Sequence, residues 1–182
     1  FLGAIRPPRR ALLLGEGNGR FLAQLLHRHP NVEVVCLDAS QPMLDRARAA
    51  APLDLQRVRF RQEDIFEWHP EEESFDLIAT HFFLDCFPSD QVQEIVQKAA
   101  LTLTPNGDWL CSDFHQPASG LRKWRARLIL ALMYWFFRRV TRIPACSLVS
   151  PDAAFLQSGL SLQERQFFEW DLLRADWWRR NP

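Results

Sequence analysis

Strand-like and helix-like stretches alternate from Ala11 to Phe114, and that alternation limits the fold more than any other feature of the chain. Ala11 to Leu14 is a short apolar run that stops at Gly15, the pattern of a buried strand. Arg20 to Arg28 follows, with Phe21, Leu22, Leu25 and Leu26 on one helical face. Glu33 to Leu37 reads as a second buried strand, closed by Asp38. Ser40 is placed to cap the next helix, with Pro42 in its first turn. Val58 and Phe60 alternate with arginines in a third strand ending near Gln62, and Phe75 to Thr80 makes a fourth. Ser89 or Asp90 caps a helix whose apolar residues are Val92, Ile95, Val96, Ala99 and Leu103. "TPNG", Thr104 to Gly107, stops that helix, and Asp108 to Phe114 is the fifth strand. Such an order predicts an α/β fold with a mostly parallel sheet, covered on both faces and joined by right-handed crossovers.

The last third is patterned differently. Residues 120–142 read as one long helix dense in tryptophan, phenylalanine and leucine, ended by Pro144. Ser150 and Pro151 start a short helix that stops near Gly159. "LSLQERQFFEW" and "DLLRADWWRR" read as two strands joined tightly around Asp171, and so as an antiparallel pair. No repeat or boundary divides the 182 residues, which are read as a single domain, 1–182, with 120–142 as a helical insert after the fifth strand.

The formal net charge is zero and no basic stripe is visible, which argues against a nucleic-acid partner. Arginine supplies almost all of the positive charge, with Lys98 and Lys123 the only lysines. Cys36, Cys86, Cys111 and Cys146 show no CxxC spacing and sit mostly in apolar runs, so they read as free buried thiols in a reducing, cytoplasmic setting. No charged segment followed by an apolar core is visible over the first residues, so a secretory signal is not expected there. The longest apolar run, Leu128 to Phe137, falls well short of the ~20 residues that a membrane span needs.

"LLLGEGNGRF", Leu12 to Phe21, puts Gly15, Gly17 and Gly19 between a buried strand and a helix N-terminus. Glycine there permits a tight turn and a close approach of backbone to a ligand. A dinucleotide fold wants a small residue where this chain has Arg20, which speaks against a nicotinamide cofactor. Asp38 ends the second strand nineteen residues after Gly19, where an acid can accept hydrogen bonds from ribose hydroxyls or cap the helix that follows. Asp64, in "EDIF" after the third strand, can accept from an adenine amino group, with Ile65 against the ring and Met43 over its other face. A solvated loop acid and a core methionine are the plainer readings of Asp64 and Met43.

With these motifs in order, the chain resembles the class I S-adenosylmethionine-dependent methyltransferases. "LLLGEGNGRF" matches the glycine motif, "VVCLDAS" the ribose-acid motif and "VRFRQEDIF" the adenine-acid motif. "FDLIATHFFLDCF" matches the fourth-strand motif and "LTLTPNGDWLCSDF" the turn and fifth strand. The resemblance implies a Rossmann-like, doubly wound, mostly parallel seven-stranded sheet whose last strand is antiparallel. It implies S-adenosylmethionine as cofactor, beside the turn of Gly15, Glu16, Gly17, Asn18 and Gly19. Asp38 would hold the ribose with Ala39 and Met43 nearby, Asp64 and Ile65 the adenine, and Thr80 and His81 would lie near the methionine part and the methyl group.

Three departures stand out. The family's acid two positions before the first glycine is here Leu13, while Glu16 supplies an acid inside the turn; either Glu16 takes over contact with the ammonium group or the affinity is lower. Asn106 replaces one glycine of the fifth-strand turn, which left-handed geometry tolerates. Relatives carry helices before the first strand that cover the cofactor, and their absence here implies a truncated chain, a cleaved product or an open site.

Methyl transfer demands alignment more than a fixed set of catalytic groups, because the cofactor carries the hard chemistry. No catalytic residue is assigned from sequence. His81, Asp85 and His115 are candidate bases near strand ends, each with a structural reading beside it, and no metal ligand set is seen. The arginine-flanked helix over 120–142 reads as an extra core helix, a pocket wall for an apolar or aromatic acceptor, a peripheral membrane contact or a homodimer surface. The expected activity is methyl transfer to a small apolar or aromatic acceptor. The alternatives are a non-catalytic partner of the same fold and, opposed by Arg20, an NAD-dependent oxidoreductase.

Overall fold

In the computed structural model the described residues are 1–52, 54–70, 74–117, 124–126, 129 and 148–182. They form β1 (Arg10–Leu14), α1 (Arg20–Arg28), β2 (Glu33–Asp38), α2 (Gln41–Ala50), β3 (Val58–Gln62), β4 (Phe75–His81), α3 (Ser89–Ala100) and β5 (Leu103–Phe114). α4 (Asp152–Gln157), β6 (Leu160–Phe168) and β7 (Leu173–Arg180) complete the set. The seven strands lie in the order β3-β2-β1-β4-β5-β7-β6. β1 to β5 run parallel, and β7 is antiparallel to both β5 and β6. The doubly wound sheet expected from sequence is present, with β7 set between β5 and β6.

Side-chain alternation in β1 explains why its sequence is apolar throughout. Leu12 and Leu14 join a core with Ile78, Trp109, Trp178 and residues of α3 and α4. Ala11 and Leu13 join a second core with Leu22, Leu25 and Leu26 of α1 and Leu44 and Ala47 of α2. Both faces of the sheet are covered, so both sets of side chains must be apolar. In α1 the three leucines sit at the i, i+3, i+4 positions that line one helical face.

On the α3 and α4 face, Phe155 lies between two tryptophans. Its ring is stacked on Trp178 at 4.8 Å and meets Trp109 edge-on at 5.0 Å. All three are buried. Replacing Phe155 by alanine should cost about 3–5 kcal/mol of unfolding free energy, measured by urea denaturation, because so large a void between rigid rings cannot collapse.

Three expectations need correction. The N-cap of α3 is Pro88, and Ser89 and Asp90 are its first two helical residues rather than its cap. Leu103 does not continue α3. The helix ends at Ala100 and Leu103 pairs with Phe75 at the start of β5. Nor does "TPNG" separate helix from strand: it bulges out of β5, since Leu77, two residues after Phe75, is already opposite Asp108. Asn106 takes φ +61° there, the left-handed geometry foreseen for it. The helix expected over 120–142 lies outside the described residues except for Trp124 to Ala126 and Ile129, which are helical. Cys36, Cys86 and Cys111 are free thiols; Cys146 also lies outside the described residues. No helix among the described residues is long and apolar enough to cross a membrane.

Candidate active site at the switch point of the sheet

The strand order reverses between β1 and β4, with β2 and β3 to one side and β5 to the other. Ligands of open α/β sheets bind in the crevice outside the carboxyl ends of the strands at such a point. The turn from Gly15 to Gly19 lies there, at the carboxyl end of β1. All three glycines have positive φ, at +63°, +66° and +77°. Their spatial roles differ. A Cβ on Gly19 would stand 2.6 Å from Ala50 Cβ and 2.8 Å from Ala47 Cα, so Gly19 lets α1 pack on α2. A Cβ on Gly15 would stand 2.2 Å from the Phe83 ring. Above Gly17 there is open space, the nearest atom being Gly15 O at 4.0 Å.

Backbone bonds stitch three strand ends together. Gly15 N–H donates to Leu37 O at 3.0 Å, and Glu63 N–H donates to Asp38 O at 3.2 Å. Asp38 Oδ1 accepts from Ser40 N–H at 2.8 Å, and its carboxylate also meets the Gly17 amide. Burial raises the Asp38 pKa against these two stabilising contacts. Ser40 occupies the N-cap position of α2 without a side-chain capping bond. The aspartate thus fixes the loop at the carboxyl end of β2. A carboxylate has about four acceptor positions, which leaves room for ribose hydroxyls. Ala39 is exposed and Met43 half-buried beside it.

Asp64 is exposed and accepts from Phe66 N–H at 2.9 Å, closing a tight turn after β3. Ile65 is buried in the core on the α3 face. Lys98 reaches across from α3 and donates to Ile65 O at 3.1 Å and Phe66 O at 2.7 Å. Sequence reasoning missed that clamp, because its partners are carbonyls, which leave no mark on side-chain identity.

Glu16 answers the question raised by Leu13. Leu13 is fully buried between β1 and α1 and could not carry an acid cheaply. Glu16 Oε1 accepts from Phe21 N–H and Leu22 N–H, both at 3.0 Å, and so caps the N-terminus of α1. Burial pushes its pKa up to about 7 despite those two bonds. Asn18 Oδ1 similarly accepts from Arg20 N–H at 3.2 Å. Among the described residues, no cation pairs with this acid inside the turn.

On the other side of the switch point, Thr80 is fully buried and its hydroxyl accepts from Trp109 Nε1 at 3.1 Å. Its side chain belongs to the core, which leaves only its backbone for a ligand. His81 packs edge-on against Phe21 at 4.3 Å, and burial lowers its pKa to about 4. It is neutral at physiological pH and a weak base. Phe82, with φ +53°, and Phe83 follow; Phe83 and Phe87 meet at 5.1 Å beside the glycine turn.

Asp85 and Asp113 form a buried acid pair at the ends of β4 and β5. Phe114 N–H is directed at the Asp85 carboxyl and Phe83 N–H at that of Asp113. Burial raises both pKa values, and their mutual repulsion raises that of Asp113 further. Cys111 Sγ lies 3.1 Å from Asp113 Oδ2. His115, just beyond β5, is placed differently. Its Nδ1 lies 2.9 Å from Asp171 O. A carbonyl only accepts, so Nδ1 carries a proton, and in the neutral imidazole the lone pair is then on Nε2. Asp171 belongs to a turn of three consecutive left-handed residues, Glu169, Trp170 and Asp171, that joins β6 to β7. Among the described residues, no three His, Cys, Asp or Glu side chains gather as a metal would require.

Residues 11–107 match the methyltransferase domain family. A demethylmenaquinone methyltransferase of Deinococcus radiodurans is 35% identical over 114 residues, 63% of this chain and 46% of that protein. A trans-aconitate 2-methyltransferase of Methylobacterium radiotolerans is 38% identical over 84 residues, 46% of this chain and 30% of that protein. The chain therefore spans less than half the length of these two relatives. Among solved structures, an O-methyltransferase family protein from Burkholderia thailandensis superposes with a TM-score of 0.76 at 19% identity, over 99% of this chain and 54% of that one. An S-adenosylmethionine-dependent methyltransferase from Mesorhizobium loti gives 0.72 at 22% identity, over 98% of this chain and 95% of that one. Those two likenesses speak to the fold, and the family match to its descent. The chain belongs to the methyltransferase domain family, among the class I S-adenosylmethionine-dependent methyltransferases.

Proposed function

We propose that the chain binds S-adenosylmethionine across the switch point and serves methyl transfer to a small apolar or aromatic acceptor. The observation that carries this reading is the run of left-handed glycines at the end of β1, with Asp38 and Asp64 following at the ends of β2 and β3. The open space above Gly17 is a cradle that a side chain would fill. When bound, the cofactor supplies a methyl group made electrophilic by its sulfonium.

The chain's own residues then bind and orient. Asp38 accepts from the ribose hydroxyls, flanked by Ala39 and Met43. Asp64 accepts from the adenine amino group, and the buried Ile65 sets the height of the ring. Glu16 faces the ammonium group while its other oxygen holds α1, and Gly15, Asn18 and Gly19 keep the turn in shape. Thr80 and His81 line the methyl end through their backbone. His115, whose neutral form has its lone pair on Nε2, is the base that this reading assigns to the acceptor's proton. The two relatives named for demethylmenaquinone and trans-aconitate support a small-molecule acceptor.

Calorimetry with S-adenosylhomocysteine tests the reading. Saturable binding is expected, weakened about tenfold or more in Asp38→Ala through loss of charge-assisted bonds to the ribose. No binding would overturn it. Binding of NAD instead would favour the oxidoreductase alternative. Binding with no methyl transfer to any acceptor would favour a non-catalytic partner of the same fold.

A further inference from the structure

The carboxyl ends of β5 and β6 and the start of β7 frame a cavity of about 300 Å³. Phe114, His115, Gln116, Leu148, Arg165 and Arg174 line it, with Asp152 and Ser150 beside the arginines. Its volume is at the lower end of small-molecule sites, room for a ligand of one or two rings. It opens one strand away from β4, whose end lies at the switch point.

Arg165, Arg174 and Asp152 of one wall form a square with the fully buried Asp176 behind them. Arg165 donates to Asp176 through Nε at 2.7 Å and through Nη2 at 2.9 Å, and Nη2 also reaches Asp152 at 2.9 Å. Arg174 reaches Asp176 through Nε at 3.1 Å, and through Nη1 it reaches Asp152 at 3.1 Å and Ser150 Oγ at 3.2 Å. The charges cancel, two against two. The hydrogen-bonding capacities do not, because each guanidinium has five N–H groups. Arg165 Nη1 and Arg174 Nη2 have no acceptor among the described residues. The cavity therefore offers charged donors in excess. His115, whose neutral form keeps its lone pair on Nε2, also lines the cavity, as does apolar surface from Phe114 and Leu148.

The geometry points to an aromatic hydroxy acid as the acceptor held in this cavity: a flat ring that carries a carboxylate for the arginines and a hydroxyl for His115. This assignment rests on the methyl-transfer reading above. In the step it implies, the hydroxyl oxygen forms a bond to the methyl carbon as the sulfur–methyl bond breaks. The broken bond's electron pair stays on sulfur, which becomes a neutral thioether, and the hydroxyl proton passes to His115 Nε2.

The test uses the whole chain saturated with S-adenosylhomocysteine, whose own binding is measured first. 1-Hydroxy-2-naphthoate, its methyl ester and 1-naphthol are then titrated by calorimetry. The free acid is expected to bind about tenfold or more tightly than either neutral compound, since a charge-assisted bond outweighs a neutral one. Arg165→Gln is expected to erase that preference and leave the affinity for S-adenosylhomocysteine unchanged. Arg165→Lys, which keeps the charge beside Asp176, is expected to reduce it. Equal binding of the three compounds, no binding of the acid, or a preference that survives in both variants would overturn the assignment. Failure to bind S-adenosylhomocysteine would instead overturn the methyl-transfer reading.

Discussion

Replacing Glu16 by glutamine is expected to weaken binding of S-adenosylhomocysteine by about ten- to a hundredfold and, at pH 8, to make the unliganded protein more stable. The two effects share one cause. Glutamine keeps an oxygen that can accept from Phe21 and Leu22 N–H, so the α1 cap survives. What disappears is a buried negative charge. For binding, that charge is the counterpart of the ligand's ammonium group, and a charge-assisted bond of this kind is worth about 1.5–3 kcal/mol. For folding, the same charge is a burden. The Glu16 pKa rises from 4.5 to about 7 on folding, so between those values the native state holds a proton that the unfolded state has released. Its contribution to stability is complete below pH 4.5 and is lost as pH rises through 7. At about 1.4 kcal/mol per unit, the loss is on the order of 3 kcal/mol. Denaturation from pH 5 to pH 8 should show that decline in the parent protein and not in Glu16→Gln. Calorimetry over the same range should show S-adenosylhomocysteine binding tighten with pH in the parent and stay flatter in the variant. A variant that binds as well as the parent would remove Glu16 from the site.

Asp176→Ala is expected to cost about 3–5 kcal/mol, the other large effect. Asp176 is 0% exposed and accepts from both Arg165 and Arg174, and Arg174 is itself 6% exposed. Removing it leaves two guanidinium groups side by side in a buried place, with only the half-buried Asp152, among the described residues, to answer them. At about 2–4 °C per kcal/mol for a chain of this size, the melting temperature should fall by roughly 10 °C. The Arg48–Asp45 pair provides the contrast. Its side chains are 39% and 62% exposed, and removing Asp45 should change stability by less than about 1 kcal/mol. Thermal unfolding of the two variants side by side separates a buried pairing from a surface one. Equal, small shifts would mean that water reaches Asp176.

How far the sequence could be read depended on whether a signal was local. α1 is found over Arg20–Arg28, as expected, because its leucines recur at helical spacing between a glycine turn and a basic last turn. β3 and the antiparallel pairing of β6 with β7 were equally local matters of alternation and a tight joint. Leu103 misled because an apolar residue four positions after Ala99 fits a continuing helix as well as a new strand. Only the pairing with Phe75 decides between them. At the site, the positions of the glycine turn, Asp38 and Asp64 were legible, since strand ends and turn residues mark themselves. Their partners were not. That Glu16 caps α1, that Thr80 faces Trp109, that Lys98 holds two carbonyls and that Phe83 lies against Gly15 are facts of the folded arrangement, made between residues far apart in sequence or through backbone atoms. The Arg165–Asp176–Arg174 network was invisible for the same reason: its members are ordinary charges until β6 and β7 set them side by side.

The place of β7 between β5 and β6 bears on how the chain reaches this state. β5 finds its outer neighbour only when Leu173 returns to Phe114, after the rest of the parallel sheet has been synthesised. A growing chain emerging from the ribosome therefore holds β5 as an open edge, with N–H and C=O groups unpaired and Trp109 without its neighbour Trp178 across the ladder. Closing so long a loop is entropically slow, and an open edge invites pairing with other chains in the meantime. The passage of this protein through synthesis should thus be most vulnerable to aggregation in that interval, and a chaperone that shields β5 would act there.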